Sequence, residues 1–389
     1  MGVANALVVG AGIGGLAAAA ALGRKGVDVD VVEIREPGSV LGVGINQPGN
    51  ALRALDALGV LDEVLAAGFP FDGNDYRDRD DERIVLVPSA LGSDRVPANC
   101  GLSRRDLHDI LLRASKAAGA TITYGTEVRD VVDDGTGVDV TFSNGEHRRY
   151  DLVAAFDGVG SAMRRRVLGT SLVPQYTGSA VWRKRLPRLP EIVRVTMWHG
   201  VGVKGGLVPM DDKTMYMLLV TSEQATERPD EADLASRLAT RLAQFAGPLA
   251  RVRDCLRDDP HGIVYSPLVE VNVPLPWHRG RVIVLGDAAH ATTPHLTQGA
   301  AMAIEDAVVL ADEVTRDRGL EESLTALERL RHPRTQLVQE TSHKILVQEQ
   351  SVTTETLPRA TDEMRANLAE QTDRLESVLN QPFRATAQH

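Results

Sequence analysis

The chain has 389 residues, 43% hydrophobic and 25% charged, an ordinary globular composition for about two domains or one large α/β domain with insertions. A net charge of -10 and an aromatic content of 4% exclude a basic, ring-stacking nucleic-acid surface. The two cysteines, Cys100 and Cys255, form no C-x-x-C pair, which excludes a dithiol centre, a cysteine-rich zinc site and an iron–sulfur cluster and points to a reducing cytoplasm.

Met1 to Gly23 carries no charged side chain and so imitates a leader or a membrane span. It lacks a basic beginning, and Gly10, Gly12, Gly14 and Gly15 break it, so a soluble chain is expected. The same stretch opens a βαβ unit. Ala6–Val9 reads as a buried strand, Gly10–Gly15 as a turn, Leu16–Leu22 as a helix of small residues, and Val29–Val32 as a second strand ending at Glu33. Helical periodicity follows over Ala51–Leu65 and Asp106–Ala118. Between them lies Asp72–Val96, where "RDRDDER" reads as a solvated loop beside the β-rich "IVLVP". Strands joined by Asp-Gly and Asn-Gly turns are expected in "ATITYGTEVRDVVDDGTGVDVTFSNG". From Pro174 to about Pro267 the pattern is β-rich, with one amphipathic helix over Ala232–Ala246. "RVIVLGDAAH" returns to a buried strand, "GAAMAIEDAVVLADEV" is a helix, and the remainder from Leu320 is charged and helical. The expected architecture is α/β: a Rossmann-like nucleotide-binding domain in three segments (1–71, 98–173 and 268–319). Residues 72–97 and 174–267 form a β-rich substrate domain, and 320–389 form C-terminal helices.

Gly10-Ala11-Gly12-Ile13-Gly14-Gly15 fits G-x-G-x-x-G. Its glycines serve a tight turn, close backbone approach to a pyrophosphate, and close packing of the helix on the strand. Glu33, at the end of the next strand, is placed for a ribose hydroxyl. The stretch "GDAAHATTPHLTQGAAMAIEDA", 286–307, holds histidines and carboxylates that invite a zinc reading. That reading fails, because Pro294 separates His290 from His295 and the adjacent Glu305 and Asp306 diverge on a helix. As a second nucleotide element it works. Asp287 follows a buried strand, and Gln298, Gly299 and Ala300 open a helix whose N–H groups suit negative charge on a reduced ring.

These motifs, together with "DGVGSAMRRRVLG" at 157–169 and "LSRRDLHDIL", resemble the class A FAD-dependent aromatic hydroxylases, the para-hydroxybenzoate hydroxylase-like monooxygenases. The resemblance is closest to the salicylate, 6-hydroxynicotinate and urate hydroxylase branch and covers most of Met1–Arg334. It implies FAD as cofactor, held by Gly10, Gly12, Ile13, Gly14, Gly15, Glu33, Ile34, Arg35, Val128, Asp287, Gln298, Gly299 and Ala300, with Arg104 at the phosphates. It places Asp157 and Gly158 near FAD and a transient NAD(P)H, and Pro294 against the flavin face. It further implies dioxygen activation as a flavin C4a-hydroperoxide and hydroxylation of an electron-rich aromatic or N-heteroaromatic substrate. Lys204, Tyr216 and His295 become substrate-side candidates, with Arg183 behind them. Lys204 and Tyr216 read equally well as a snorkelling lysine and a core aromatic. The chain departs from the pattern in reading Thr297-Gln298-Gly299 and in lacking a clear tyrosine pair for phenol deprotonation. A flavin oxidase, dehydrogenase or halogenase, or a non-catalytic FAD module, stays open at this point. No metal, nucleic-acid or membrane partner is expected, and the chain is expected to be a monomer or homodimer.

Overall fold

The computed structural model describes residues 2–39, 42–169, 172–223 and 228–384. Its first sheet has six strands in the spatial order His278–Arg279, Val282–Val284, Leu152–Ala155, Asn5–Val9, Asp28–Val32 and Thr121–Thr123. All neighbours run parallel except the two-residue edge strand. After Asn5–Val9 the chain builds toward one edge, then crosses to the other side at Leu152–Ala155. The carboxyl ends of these two central strands therefore form a topological switch point, where open α/β sheets bind ligands. Helix Ile13–Arg24 lies on this sheet, with Ala17 to Ala20 fully buried. Its small side chains let helices Arg104–Ala117 and Gly299–Val314 pack closely over it.

A small sheet of Gly44–Pro48, Asn99–Ser103 and Phe69–Phe71 flanks this core. The Val128–Asp133, Val138–Phe142, His147–Tyr150 meander turns at Gly135 and Gly145, both at positive φ, as the Asp-Gly and Asn-Gly signals lead one to expect.

The third large unit is a seven-stranded sheet in the order Val264–Glu270, Gln175–Pro187, Thr214–Ser222, Val203–Pro209, Val195–His199, Asn74–Asp78 and Arg83–Val87. Side chains alternate faces along a strand, and the register sorts them. Trp182, Leu219, Leu207 and Trp198 pack beneath helices Leu234–Leu242 and Gly247–Cys255. The opposite face carries Arg183, Tyr216, Leu218, Val208, Lys204, His199, Met197 and Tyr76. That face covers the small sheet, since a Cβ on Gly44 would stand 2.0 Å from the Tyr216 ring and one on Gly101 would stand 2.1 Å from the Pro209 oxygen. The fold class is the one expected: an FAD-binding-type α/β core, a strand-rich domain and C-terminal helices.

One expected helix is divided and one gains a companion. Ala51–Leu65 is split into Gly49–Ala57 and Leu61–Ala67 by Gly59 at φ +75°, and the single helix of the insert gains a neighbour, Gly247–Cys255. The added helix opens where Gly247 takes φ +57° and Pro248 supplies a preset first turn. The C-terminal region is a 32-residue helix, Leu320–Ser351, followed by Leu357–Leu379.

Candidate active site

The glycine turn closes against its neighbours on every side but one. Gly10 leaves its strand at φ +104°, where a Cβ would stand 2.5 Å from the Phe156 carbonyl oxygen, and a Cβ on Gly15 would stand 1.9 Å from the Gly10 oxygen. Around Gly12 nothing lies within 4 Å of an added Cβ. That open side borders a cavity of about 130 Å³ whose walls include Ala11, Ile13, Glu33, Arg35, Arg104 and Tyr124. The Glu33 carboxylate accepts the Ala11 and Arg35 N–H groups, each at 2.9 Å, and keeps lone pairs for a hydroxyl. His108, which sequence reasoning did not single out, reaches the Ala11 carbonyl oxygen at 3.1 Å and lines the same cavity. The Arg104 stem lies across Gly42; burial pulls its pKa down and the nearby Asp287 charge opposes this. Ile34 stands 64% exposed outside the cavity lining, and the Val128 side chain is in the core, leaving only its backbone for a ligand.

Asp157 sits at the switch point, just after Leu152–Ala155. Its Oδ2 accepts the Met163 N–H at 3.0 Å, its Oδ1 is buried without a partner, and burial raises its pKa. Gly158 follows at φ +77° with open space around it. Of the arginines behind them, Arg164 is fully buried on the carbonyl oxygens of Ala288, Val159 and Leu172, a structural role, while Arg165 and Arg166 are exposed. Asp287 is exposed at the start of the short helix Asp287–His290. Pro294 and His295 lie in a 3-10 turn that ends at Thr297, in the left-handed region at φ +55°. Gln298 then starts the helix Gly299–Val314. Its side chain is tied to Asn50 by bonds of 3.0 and 3.1 Å, so its backbone and those of Gly299 and Ala300 are what a ligand could meet.

The face of the seven-stranded sheet forms a roof over this turn. Tyr216 and Tyr76 are both pushed up to about 12 by burial and stay phenolic. Arg183 lies near Tyr216 and Arg104 and has no ion-pair partner among the described residues; burial lowers its pKa. At the far end, the Lys204 ammonium meets Glu349 of the long C-terminal helix at 2.5 Å. Burial would raise the Glu349 carboxyl, but Lys204 and His295 outweigh it and hold it at about 2. His295 Nδ1 bonds the Thr293 hydroxyl at 2.9 Å. Its Nε2 lies 3.2 Å from a Glu349 carboxylate oxygen. His199 stands against the same group, pushed down to about 4 by burial, with its Nε2 unpartnered.

The family model described as FAD binding domain matches residues 3–342. The chain belongs to the FAD-binding family of flavoprotein hydroxylases. It is 31% identical to the FAD-dependent urate hydroxylase of Klebsiella pneumoniae over 83% of this chain and 85% of that protein. It is 32% identical to the 6-hydroxynicotinate 3-monooxygenase of Bordetella bronchiseptica over 86% of this chain and 90% of that protein. The crystal structure of Klebsiella pneumoniae HpxO complexed with FAD and uric acid matches it with a TM-score of 0.86 at 27% identity, covering 96% of each chain. This flavoprotein hydroxylase is accordingly an FAD-dependent monooxygenase, of the kind that draws electrons from NAD(P)H.

Its residues fit the cofactor. The open side of Gly12 and the Glu33 carboxylate border the same cavity, and at the switch point the buried Asp157 Oδ1 has no partner of its own. The helix Gly299–Val314 is anchored by a buried ionic network. Arg331 donates to Asp306 at 2.7 Å and to Glu305 at 2.6 Å, Arg334 donates to Glu305, and His290 meets Asp306 at 2.6 Å. Burial would raise Asp306, but His290 and Arg331 hold it at about 2. The two carboxylates that looked like metal ligands are thus arginine partners, and no metal-binding cluster occurs among the described residues. A larger cavity of about 700 Å³, lined by Asp75, Arg83, Arg194 and Trp198 among others, contains none of the motif residues. The flavin motifs lie elsewhere. Sequence reasoning missed Glu349, His199, Tyr76 and Asn46; Asn46 bonds Asn99 at 2.9 Å on the small sheet.

Proposed function

We propose that this flavoprotein hydroxylates an electron-rich aromatic or N-heteroaromatic ring held between the roof and the Pro294–Gly299 turn. The observation that carries this reading is the roof itself, a polar wall of phenols and imidazoles over the flavin motifs. When bound and reduced by NAD(P)H, FAD supplies the activated dioxygen, of which one atom enters the ring and the other leaves as water.

The chain's own residues bind, orient and keep water out. Tyr216, kept phenolic, donates to an oxygen of the substrate, and Arg183 beside it steadies negative charge that develops there. Lys204 does not act as a free anchor for an anion, because Glu349 already meets its charge. His295, whose pKa burial lowers, shapes the wall next to Pro294. Gly299 and Ala300 present unbonded N–H groups at a helix N-terminus, where negative charge on the ring system is stabilised. Asp157 and Gly158 border the entry for the nicotinamide cosubstrate.

A panel of hydroxypyridines, hydroxyquinolines and hydroxybenzoates, read as stimulated NAD(P)H oxidation with product analysis, tests the reading. At least one such ring should raise the rate well above the basal rate and gain one hydroxyl. Tyr216→Phe should lower that stimulated rate roughly tenfold, the loss of about one hydrogen bond. Oxidation that never depends on any ring, with only hydrogen peroxide formed, would favour an oxidase instead.

A further inference from the structure

Glu349, on the long C-terminal helix, meets Lys204 of the roof from 145 residues away in the sequence, at the end of the roof where His295 of the Pro294–Gly299 turn also stands. Three facts meet there. Lys204, 7% exposed, points from the roof and spends its charge on Glu349 at 2.5 Å. The carboxylate stays ionised, so it can only accept hydrogen bonds. Beside it, His199 Nε2 is buried without a hydrogen-bond partner, although buried polar atoms in folded proteins are nearly always satisfied, while His295 Nε2 lies 3.2 Å from the Glu349 carboxylate. An orphaned ring nitrogen beside an ionised carboxylate leaves a place for a ligand that brings its own polar hydrogens.

We infer that Glu349 is a specificity-determining residue, selecting at this end of the pocket a ring that presents an N–H or O–H donor and rejecting one that presents a carboxylate. This rests on the reading of the pocket as the site of ring hydroxylation. The physical reason is a balance of charge. With Glu349 in place, Lys204 offers an incoming carboxylate no net attraction, and the like charge of Glu349 repels it. A neutral lactam or hydroxy-heteroaromatic meets neither obstacle and supplies hydrogens to the acceptors. Removing the glutamate charge frees a buried lysine, which then favours anions.

The test uses the FAD-loaded full-length protein and two rings that differ only by a carboxylate, 2-hydroxypyridine and 6-hydroxynicotinate. Binding is read from the perturbation of the bound flavin's visible spectrum. Glu349→Gln keeps the shape and should move the ratio of the two affinities at least tenfold toward 6-hydroxynicotinate, the gain of one charge-assisted hydrogen bond. The double variant Glu349→Gln with Lys204→Met removes both charges and should return most of that shift. It also serves as a neutral replacement should the single variant, with its unpaired lysine, not fold. A ratio within twofold of the parent in Glu349→Gln overturns the proposal while leaving the hydroxylase reading intact. So does a double variant whose ratio equals that of a folded single variant. No perturbation by either ring in any variant overturns the proposal, and the reading beneath it falls as well if no ring of the wider panel stimulates NAD(P)H oxidation.

Discussion

Gly12 and Gly15 sit three residues apart in one turn, and the structure gives them opposite roles. An added side chain at Gly15 meets backbone at 1.9 Å, so Gly15→Ala should cost the fold several kcal/mol and yield little soluble protein. An added side chain at Gly12 meets open cleft, so Gly12→Val should fold normally, with unchanged thermal stability, and carry little flavin. Absorbance of bound flavin per chain, set beside a melting curve, separates the two. His199 offers a second test at this scale. Its folded pKa of about 4 lies below the ordinary histidine value of 6.5, so the unfolded chain binds the extra proton between those pH values. Stability should therefore be full above about pH 6.5 and fall as pH drops toward 4, by at most about 3 kcal/mol from this group. His199→Gln should flatten that slope in urea titrations. Glu349 and Asp306, held at about 2, add losses only below their ordinary carboxylate values. The glycine turn and Glu33 were legible in the sequence because their contacts lie within one βαβ unit. His199 was not, since a residue at the end of a β-run shows its face only after seven strands are in register.

Between elements, the helix Gly299–Val314 agrees with its sequence expectation end to end, because its apolar run and opening glycine are local signals. What holds it in place is not local. Glu305, Asp306 and Arg331 are fully buried, and Arg331 comes from the next helix. Adjacent carboxylates normally signal a solvated face, and only the packing of Leu320–Ser351 shows that they are core. Arg331→Met deletes the charge and keeps the bulk. It leaves two buried carboxylates short of a partner and should cost about 3 kcal/mol or more in urea unfolding, with flavin occupancy falling as the helix start loosens. A loss below about 1 kcal/mol would mean that Arg334 and His290 hold the carboxylates without it.

Across the whole molecule, Leu320–Ser351 is the part that joins the two halves of the site. Its early residues hold the flavin-side helix through Arg331 and Arg334. Gln339 donates to the Val271 and Ala291 carbonyl oxygens, and Glu349 closes the roof on Lys204. In the sequence this stretch reads only as a charged helical tail, because nothing local marks which of its charges are buried. The motifs make the cofactor and reaction class readable in advance, whereas the polarity of the substrate wall depends on contacts between residues more than a hundred positions apart. The central claim is that the protein transfers one oxygen atom from dioxygen to a bound ring. Turnover of the most stimulating ring under ¹⁸O₂, in ordinary water and with NAD(P)H, tests this most directly by mass spectrometry of the product. A product carrying a single ¹⁸O atom is the expected result. A product whose new oxygen comes from water, or NAD(P)H oxidation matched by hydrogen peroxide with no oxygenated ring, would contradict it.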